Sequence, residues 1–162
     1  MSFVIDASIV AGLAFGEAPS PKIALAVDEL AVSEALAPVL FFFEVRNALV
    51  VNERRGRATP EGSADFLRRL TELPIRLAPL PDDDVLMTLA RKRKLTVYDA
   101  AYLELAKREA LPLATLDRAL EKAAVAEGVA LFGLDPQPCP GGCSKLRSPG
   151  AKHRRSAGLE AN

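Results

Sequence analysis

The stretch FVIDAS, Phe3 to Ser8, opens the chain with a short apolar run that ends on a carboxylate. A buried run of this length, followed by a helical pattern, is typical of a strand in a parallel sheet. Open α/β sheets bind their ligands outside the carboxyl ends of the strands. The sequence therefore predicts that Asp6 lies at the mouth of a site, where other acids would have to join it.

The chain divides by composition into a body, residues 1–135, and a tail, residues 136–162. The tail is rich in Pro, Gly and Ser, carries five Lys or Arg and one acid, and is predicted to be disordered. The body carries 16 basic and 20 acidic residues. This balance differs from the basic stripe typical of nucleic-acid binders, but it suits a site that holds cations. One domain with a basic extension is expected.

Targeting signals and cysteine chemistry are not prominent in the sequence. No run approaches the ~20 apolar residues of a membrane span, and no basic segment precedes the first strand, so the protein is expected in the cytoplasm. Both cysteines, Cys139 and Cys143, lie in the tail with His153, the only histidine. These three ligands fall short of the four that a structural zinc site usually has, so no zinc is expected.

Short apolar segments alternate with helical patterns through the whole body. This order predicts an α/β fold of three layers, with a central, mostly parallel, five-stranded sheet flanked by helices. Strands are expected at 3–5, 35–37, 75–78, 111–115 and 129–132. Helices are expected at 9–15 with Ser8 as N-cap, and at 22–30, 40–55, 60–73, 81–94, 96–108 and 117–126. Helix 40–55 is apolar almost all round, which indicates a place in the core or in a dimer interface.

Glu44 is out of character with its surroundings. It lies in the apolar helix 40–55, on a face that it shares with Leu40, Asn47, Ala48 and Val51. Burying an ionised carboxylate alone is costly, so this side chain needs a partner or a cation. The alternative is an ordinary ion pair with Arg46 at the helix surface.

Two further acids stand at predicted helix starts. Asp99 shares an apolar face with Leu103, but it also follows Thr96 by three positions, as in a capping box. Asp117 comes directly after the strand 111–115 and could serve only as the N-cap of the next helix. Asp6 itself could be a simple loop acid. For each acid alone, the structural explanation stays open.

The combination of the four acids points to metal chemistry. Asp6 and Asp117 end predicted strands, Asp99 lies in the first turn of a helix, and Glu44 lies on a helix that can cover the sheet. Four converging carboxylates repel one another unless a cation lies between them, and oxygen ligands suit Mg²⁺ or Mn²⁺. Two such ions can clamp the attacking and leaving oxygens of a phosphodiester.

Four motifs, taken in order, resemble a PIN domain of the kind found in VapC-type toxins of toxin–antitoxin pairs. They are FVIDAS, FFFEVRNAL, TVYDAAYLELA and LATLD, and the resemblance covers about residues 2–132. The resemblance places the family's acidic quartet, which would also be its metal ligands, on Asp6, Glu44, Asp99 and Asp117. It places the family's hydroxyl positions, which would bind metal-held water or substrate phosphate, on Ser8 and Thr115. Asn47 falls on a frequently polar position and would orient Glu44.

The resemblance implies an activity and its partners. The activity would be a Mg²⁺-dependent endoribonuclease, with Mn²⁺ as an alternative ion, that cuts single-stranded or looped RNA. The partners would be a second copy of the chain and a small VapB-like antitoxin whose C-terminal segment lies over the active site. Contacts to the substrate backbone would come from bases outside the acidic pocket, and the candidates are Arg46 and two basic clusters, Arg54, Arg55 and Arg57, and Arg91 to Lys94. For each cluster, charge that stabilises the C-terminal end of its helix is the stronger alternative.

Three other classes of protein deserve comparison. A PIN-like module that binds RNA or a partner without cutting would be expected to have lost acids, and all four are present. A phosphoacceptor receiver domain needs adjacent acids after the first strand and a lysine near the last one, and neither is found. A phosphatase of the haloacid dehalogenase type needs a second Asp two residues after the first, where this chain has Ser8.

Overall fold

A computed structural model describes residues 2–16 and 20–133 of the chain. The elements of these ranges follow in the order β1 (Phe3–Ile5), α1 (Ala7–Phe15), α2 (Pro21–Leu30), β2 (Ala35–Ala37), α3 (Phe41–Arg54), α4 (Pro60–Leu70), β3 (Ile75–Leu77), α5 (Asp83–Arg93), α6 (Val97–Arg108), β4 (Leu113–Ala114) and α7 (Arg118–Ala126). The predicted tail, with Cys139, Cys143 and His153, lies outside the described residues. Its separation from the body stays a prediction.

The four strands form one parallel sheet in the order β3-β2-β1-β4. β1 is completely buried between β2 and β4, because its three apolar residues have neighbours on every side. Helix α6 packs against β1 and β4, and α1 packs against α2 and α3. The predicted parallel sheet flanked by helices is thus confirmed. Its topology puts the carboxyl end of β1, and therefore Asp6, beside the end of β4.

The predicted fifth strand at 129–132 is wrong. The segment forms a single parallel bridge, between Leu113 and Leu131. Gly128 and Gly133 have φ angles of 73° and 75°, a backbone conformation that glycine adopts without strain. These two residues turn the chain at either end of the segment, and its backbone pairing with β4 is limited to two hydrogen bonds, both made by Leu113.

The start of α1 also differs from the prediction. The helix begins at Ala7, so the N-cap position falls on Asp6 and Ser8 lies inside the first turn. Asp6 makes no capping hydrogen bond with its side chain. Its carboxylate turns instead towards hydroxyl groups, which are described below. Sequence position alone favoured Ser8 as the cap, but the tertiary contacts of Asp6 decide the local geometry.

Helix α3 has two apolar faces, of which one is buried and the other is exposed. Phe41, Val45 and Leu49 are buried in the core. Phe43, on another side of the helix, is 76% exposed. The helix is apolar on most sides, as predicted, but only one of its apolar faces is buried and another is exposed to solvent.

Within the described residues, no helix combines the length and the apolar character that a membrane crossing requires.

The carboxylate of Glu127, just after α7, ties three helices together. It accepts hydrogen bonds from Lys107 in α6 and from Arg93 at the end of α5, and the ammonium group of Lys92 lies 2.8 Å away. Only 6% of the Glu127 side chain is exposed. The hydrogen bonds, with that of Lys107 foremost, lower the pKa of Glu127 from 4.5 to about 2.

We expect Glu127→Gln to lower the free energy of unfolding at pH 7 by about 1–2 kcal/mol, because the neutral amide loses the ion pairs with Lys92, Arg93 and Lys107. The loss stays this small because solvent screens the two partly exposed lysines. A pKa lowered by folding stabilises above the unfolded value of 4.5 and ceases to do so as the pH falls towards 2. The difference between variant and wild type should therefore shrink in urea denaturation at pH 3. Glu72→Gln, an exposed acid without an ion pair in the described part of the chain, is the control. Equal urea midpoints at pH 7 would contradict the prediction.

Candidate active site

The site is built around Asp6, which lies at the carboxyl end of β1 and is only 7% exposed. Two hydroxyl groups donate hydrogen bonds to the same carboxylate oxygen, Oδ2. They are Ser8 Oγ at 2.6 Å and Thr115 Oγ1 at 2.5 Å. Because both hydroxyls bind Oδ2, the second oxygen, Oδ1, is left without a hydroxyl donor. Asp6 is thus fixed in orientation by its two hydroxyl partners.

The same two hydroxyls fasten the end of β4 to the end of β1. Ser8 Oγ accepts a hydrogen bond from the backbone N–H of Leu116, and Thr115 Oγ1 accepts one from Asp117, each at 3.0 Å. Each hydroxyl therefore donates to Asp6 and accepts from the backbone that leaves β4. The structure shows Ser8 and Thr115 holding Asp6 in place. The role in binding metal-held water or substrate phosphate, which the resemblance implies for these hydroxyls, stays a prediction.

Glu44 projects from the first turn of α3 and binds Tyr102 on α6. The Tyr102 hydroxyl donates to Glu44 Oε2 at 2.5 Å. A buried tyrosine hydroxyl needs a hydrogen-bond partner, and the Tyr102 side chain is 1% exposed. Burial, followed by this bond to an acid, raises the pKa of Tyr102, so it remains a donor. Tyr102 therefore sets the direction of Glu44.

The surface ion pair between Glu44 and Arg46 is not formed. Arg46 donates to the backbone oxygen of Phe42 at 2.9 Å, and its guanidinium lies 5.6 Å from the centre of the Phe42 ring. Asn47 is exposed and makes no hydrogen bond to Glu44. The cause is geometric, because Arg46 projects away from the face that Glu44 shares with Tyr102. The structure thus separates Arg46 from the acids.

Asp99 and Asp117 both take part in capping the N-terminal end of a helix, which was the structural alternative for each acid. The backbone N–H of Asp99 donates to Thr96 Oγ1, and the Thr96 hydroxyl donates to Asp99 Oδ2 at 2.7 Å. Asp117 Oδ1 accepts from the backbone N–H groups of Ala119 and Leu120. In each carboxylate one oxygen is engaged in the cap, while the other can turn outwards to a cation.

Three of the acids are near enough to raise one another's pKa or to have it raised. Burial raises the pKa of Asp6, and the negative charge of Asp99 raises it further, although the two hydroxyl bonds oppose the shift. Burial likewise raises the pKa of Glu44, with additional contributions from Asp6 and Asp99. Asp6, Glu44 and Asp99 therefore form one group of mutually repelling carboxylates. Asp117 adjoins this group through the hydrogen bond from its backbone to Thr115.

The donor set of this group fits a hard divalent cation. All of its ligand atoms are carboxylate or hydroxyl oxygens, and none of the four acids forms an ion pair with a base in the described part of the chain. As the side chains stand, no three acids among the described residues enclose a common point suited to a metal. Asp99 and Asp117 each direct one carboxylate oxygen to their own helix cap.

Sequence analysis missed Tyr102 as a member of the site. The signal was its place one turn after Asp99, on the same face of α6. Inside the apolar run AAYLEL, Tyr102 looked like an ordinary core residue. Its partner Glu44 is 58 positions away, so only the tertiary packing of the chain brings the two together.

Comparisons with known proteins agree with this architecture. The family model described as PIN domain matches residues 3–126, a range that contains all four acids. The chain is 36% identical over 123 residues to Ribonuclease VapC3 from Pyrobaculum aerophilum, which covers 74% of this chain and 92% of that protein. The crystal structure of PAE2754 from Pyrobaculum aerophilum matches with a TM-score of 0.62 and 27% identity, over 76% of this chain and 84% of that one.

Proposed function

The chain belongs to the PIN domain family, and from this premise we propose that it is a metal-dependent endoribonuclease that acts as the toxin of a toxin–antitoxin pair. The observation that carries the proposal is the group of buried and half-buried acids without basic partners at the carboxyl end of β1. The similarity of the chain to a protein named Ribonuclease VapC3 supports RNA as the substrate. The reaction is hydrolysis of a phosphodiester bond.

Asp6, Glu44, Asp99 and Asp117 would hold Mg²⁺, or Mn²⁺ in its place. Such an ion lowers the pKa of a water ligand and neutralises charge on a phosphate. The residues of the chain supply the positions. Ser8 and Thr115 hold Oδ2 of Asp6, so Oδ1 would be the oxygen that Asp6 offers to the ion.

Glu44 has a comparable arrangement to Asp6. Tyr102 occupies Oε2, and Oε1 has no partner among the residues that the structure describes. Each of the two central acids thus keeps one oxygen in a fixed direction and offers the other. Positioning of this kind reduces the reorganisation that the site needs when charge develops on the phosphate.

The proposal extends to partners and location. A VapB-like antitoxin would silence the enzyme by laying a segment across the acids, and a second copy of the chain would form a homodimer. The protein would act in the cytoplasm, where its RNA substrates are. These statements rest on family membership and on the similarity to Ribonuclease VapC3.

Cleavage of a labelled pool of structured RNAs by the purified full-length chain tests the proposal. Reactions contain Mg²⁺, Mn²⁺ or EDTA, and the ends of the products are mapped by sequencing. We expect defined cuts with either ion and none with EDTA. RNA binding without cleavage, from protein that binds the ion, would favour the alternative of a catalytically silent PIN-like binding module.

Removing the Tyr102 hydroxyl provides a separate test of how Glu44 is held. We expect Tyr102→Phe to lower kcat by about 10–100-fold, the usual cost of losing a group that orients a metal ligand. KM for RNA should change little, since the hydroxyl faces Glu44 and not solvent. Steady-state kinetics with one short RNA measure both constants. Phe66→Leu, a change of a half-buried ring in α4, is the control, and an unchanged kcat in Tyr102→Phe would contradict this role of Tyr102.

A further inference from the structure

A groove of about 430 Å³ adjoins the acids on one side of Glu44. It lies between the first turns of α3 and α6 and is lined by Leu40, Phe43, Glu44, Asn47, Ala48 and Tyr98. Glu44 belongs both to this groove and to the group of repelling acids. A molecule in the groove would therefore touch the proposed cleavage site.

The groove holds the two exposed aromatic side chains of the protein. All nine Phe and Tyr residues lie in the described ranges, and the other seven are buried or half-buried. Phe43 is 76% exposed and Tyr98 is 62% exposed. Exposed rings could occur anywhere on a surface, but here both flank one acid of the site. Rings in this position suit stacking against flat ligands such as nucleobases.

A second groove, of about 340 Å³, lies on the other side of the acids. Ser8, Asn52 and Asp117 are among its lining residues, and it shares Ala48 with the first groove. Glu44, Ala48 and Asn52 are four positions apart on α3, so they follow one face of the helix. The two grooves thus form one path along α3 that passes the acids.

Arginine side chains without an acidic partner lie at the far end of this path. Arg54, Arg55 and Arg57 are exposed at the C-terminal end of α3 and have no carboxylate partner in residues 2–16 and 20–133. From Phe43 to Arg55 the helix rises by roughly 18 Å. The path therefore has rings at one end, acids in the middle and cations at the other end. This order suits a nucleic-acid strand, because the rings can stack on its bases and the cations can bind its phosphates.

We propose that Phe43 and Tyr98 stack a base of single-stranded RNA next to the phosphate that is cut, and that the strand continues along α3 towards Arg55. This inference rests on the proposed function and adds the binding mode of the substrate. The Asn47 amide, with both a donor and an acceptor, lies at the edge of the groove. This polar group favours a base as the occupant over the apolar surface of a second copy.

The experiment compares Phe43→Ala and Tyr98→Ala with wild type on a short single-stranded RNA that the wild type cleaves. Each alanine variant should raise KM by about tenfold, the usual effect of losing one stacking contact, with a much smaller change in kcat. Tyr98→Phe keeps the ring and should restore the wild-type KM. Val32→Ala removes an apolar side chain that is 81% exposed elsewhere, and should leave KM unchanged.

A second readout uses the same RNA with 2-aminopurine on either side of the cut. Its fluorescence should be quenched at one position by wild type and Tyr98→Phe, and much less by the two alanine variants. Unchanged KM and quenching in active alanine variants would overturn the inference and leave the ribonuclease activity intact. Dissociation of a homodimer in these variants, measured by sedimentation, would identify the groove as an interface between copies and also overturn the inference. Failure of the wild type to cleave RNA in any metal would overturn the proposed function itself.

Discussion

Asp6→Asn is expected to abolish metal-dependent RNA cleavage, with a loss of roughly a thousandfold or more. Asp6 is the acid that the fold places most rigidly, because both of its hydroxyl partners are fixed at the ends of β1 and β4. Asparagine can still accept these two hydrogen bonds, but it brings no negative charge to a cation. The measurement is the initial rate of cleavage at saturating Mg²⁺, with purified variant and wild type side by side.

The same substitution should stabilise the cation-free protein by about 1 kcal/mol at pH 7. Burial raises the pKa of Asp6 above 3.8, so folding favours the protonated carboxyl and the charged form costs stability. This cost is absent below about pH 3.8, where the group is protonated in both states, and it grows as the pH rises through the folded pKa. Asparagine removes this cost because its side chain carries no charge. Thermal unfolding in EDTA at pH 7 and pH 3 should show a gain only at pH 7.

The control for both measurements is Asp28→Asn, a change of an exposed acid on α2. It should leave cleavage and unfolding unaltered. An Asp6→Asn protein that kept full, metal-dependent activity would remove Asp6 from the site. A variant that unfolded more easily in EDTA at pH 7 would show that the charge of Asp6 supports the fold, contrary to its desolvation.

The placement of Asp6 and Asp117 could be predicted because it depends on local pattern. Each follows an apolar run, and parallel strands bring their carboxyl ends to one edge of a sheet. The capping positions of Thr96 and Asp117 were predictable for the same reason, since a cap depends on three or four neighbouring residues. The length of the final strand was not, because Val129 to Phe132 has the composition of a strand but lies between two glycine turns.

The orientation of the acids could not be predicted from local pattern. Tyr102 meets Glu44 across 58 positions, and Thr115 meets Asp6 across 109. Such contacts depend on the packing of whole elements, which periodicity does not encode. Arg46, two positions after Glu44 on α3, was a poor guide for a local reason, because residues two apart on a helix point to different sides. Local pattern indicated which residue types belong to the candidate site, and tertiary packing determines the hydrogen-bond partners of Asp6 and Glu44.

Removal of both hydroxyls that hold Asp6 is expected to have the second large effect. In the variant Ser8→Ala/Thr115→Val the carboxylate stays buried, but its Oδ2 loses both donors. Valine matches the shape of Thr115, which is 2% exposed, so packing should change little. We expect cleavage to fall by up to about 100-fold, because Asp6 is no longer held in one direction. The free energy of unfolding should fall by about 3 kcal/mol, because hydrogen bonds to a buried charge are among the stronger ones.

A double-mutant cycle separates positioning of Asp6 from general damage to the fold. If the hydroxyls act through Asp6, adding Ser8→Ala/Thr115→Val to Asp6→Asn should reduce the residual cleavage no further, because the positioned group is already gone. The stability cost should also be smaller in that background, since the donors then lose a neutral amide partner and not a buried charge. Equal losses in both backgrounds would contradict the mechanism. They would mean that the hydroxyls serve the backbone of Leu116 and Asp117, which they also bind, and that Asp6 finds its direction without them.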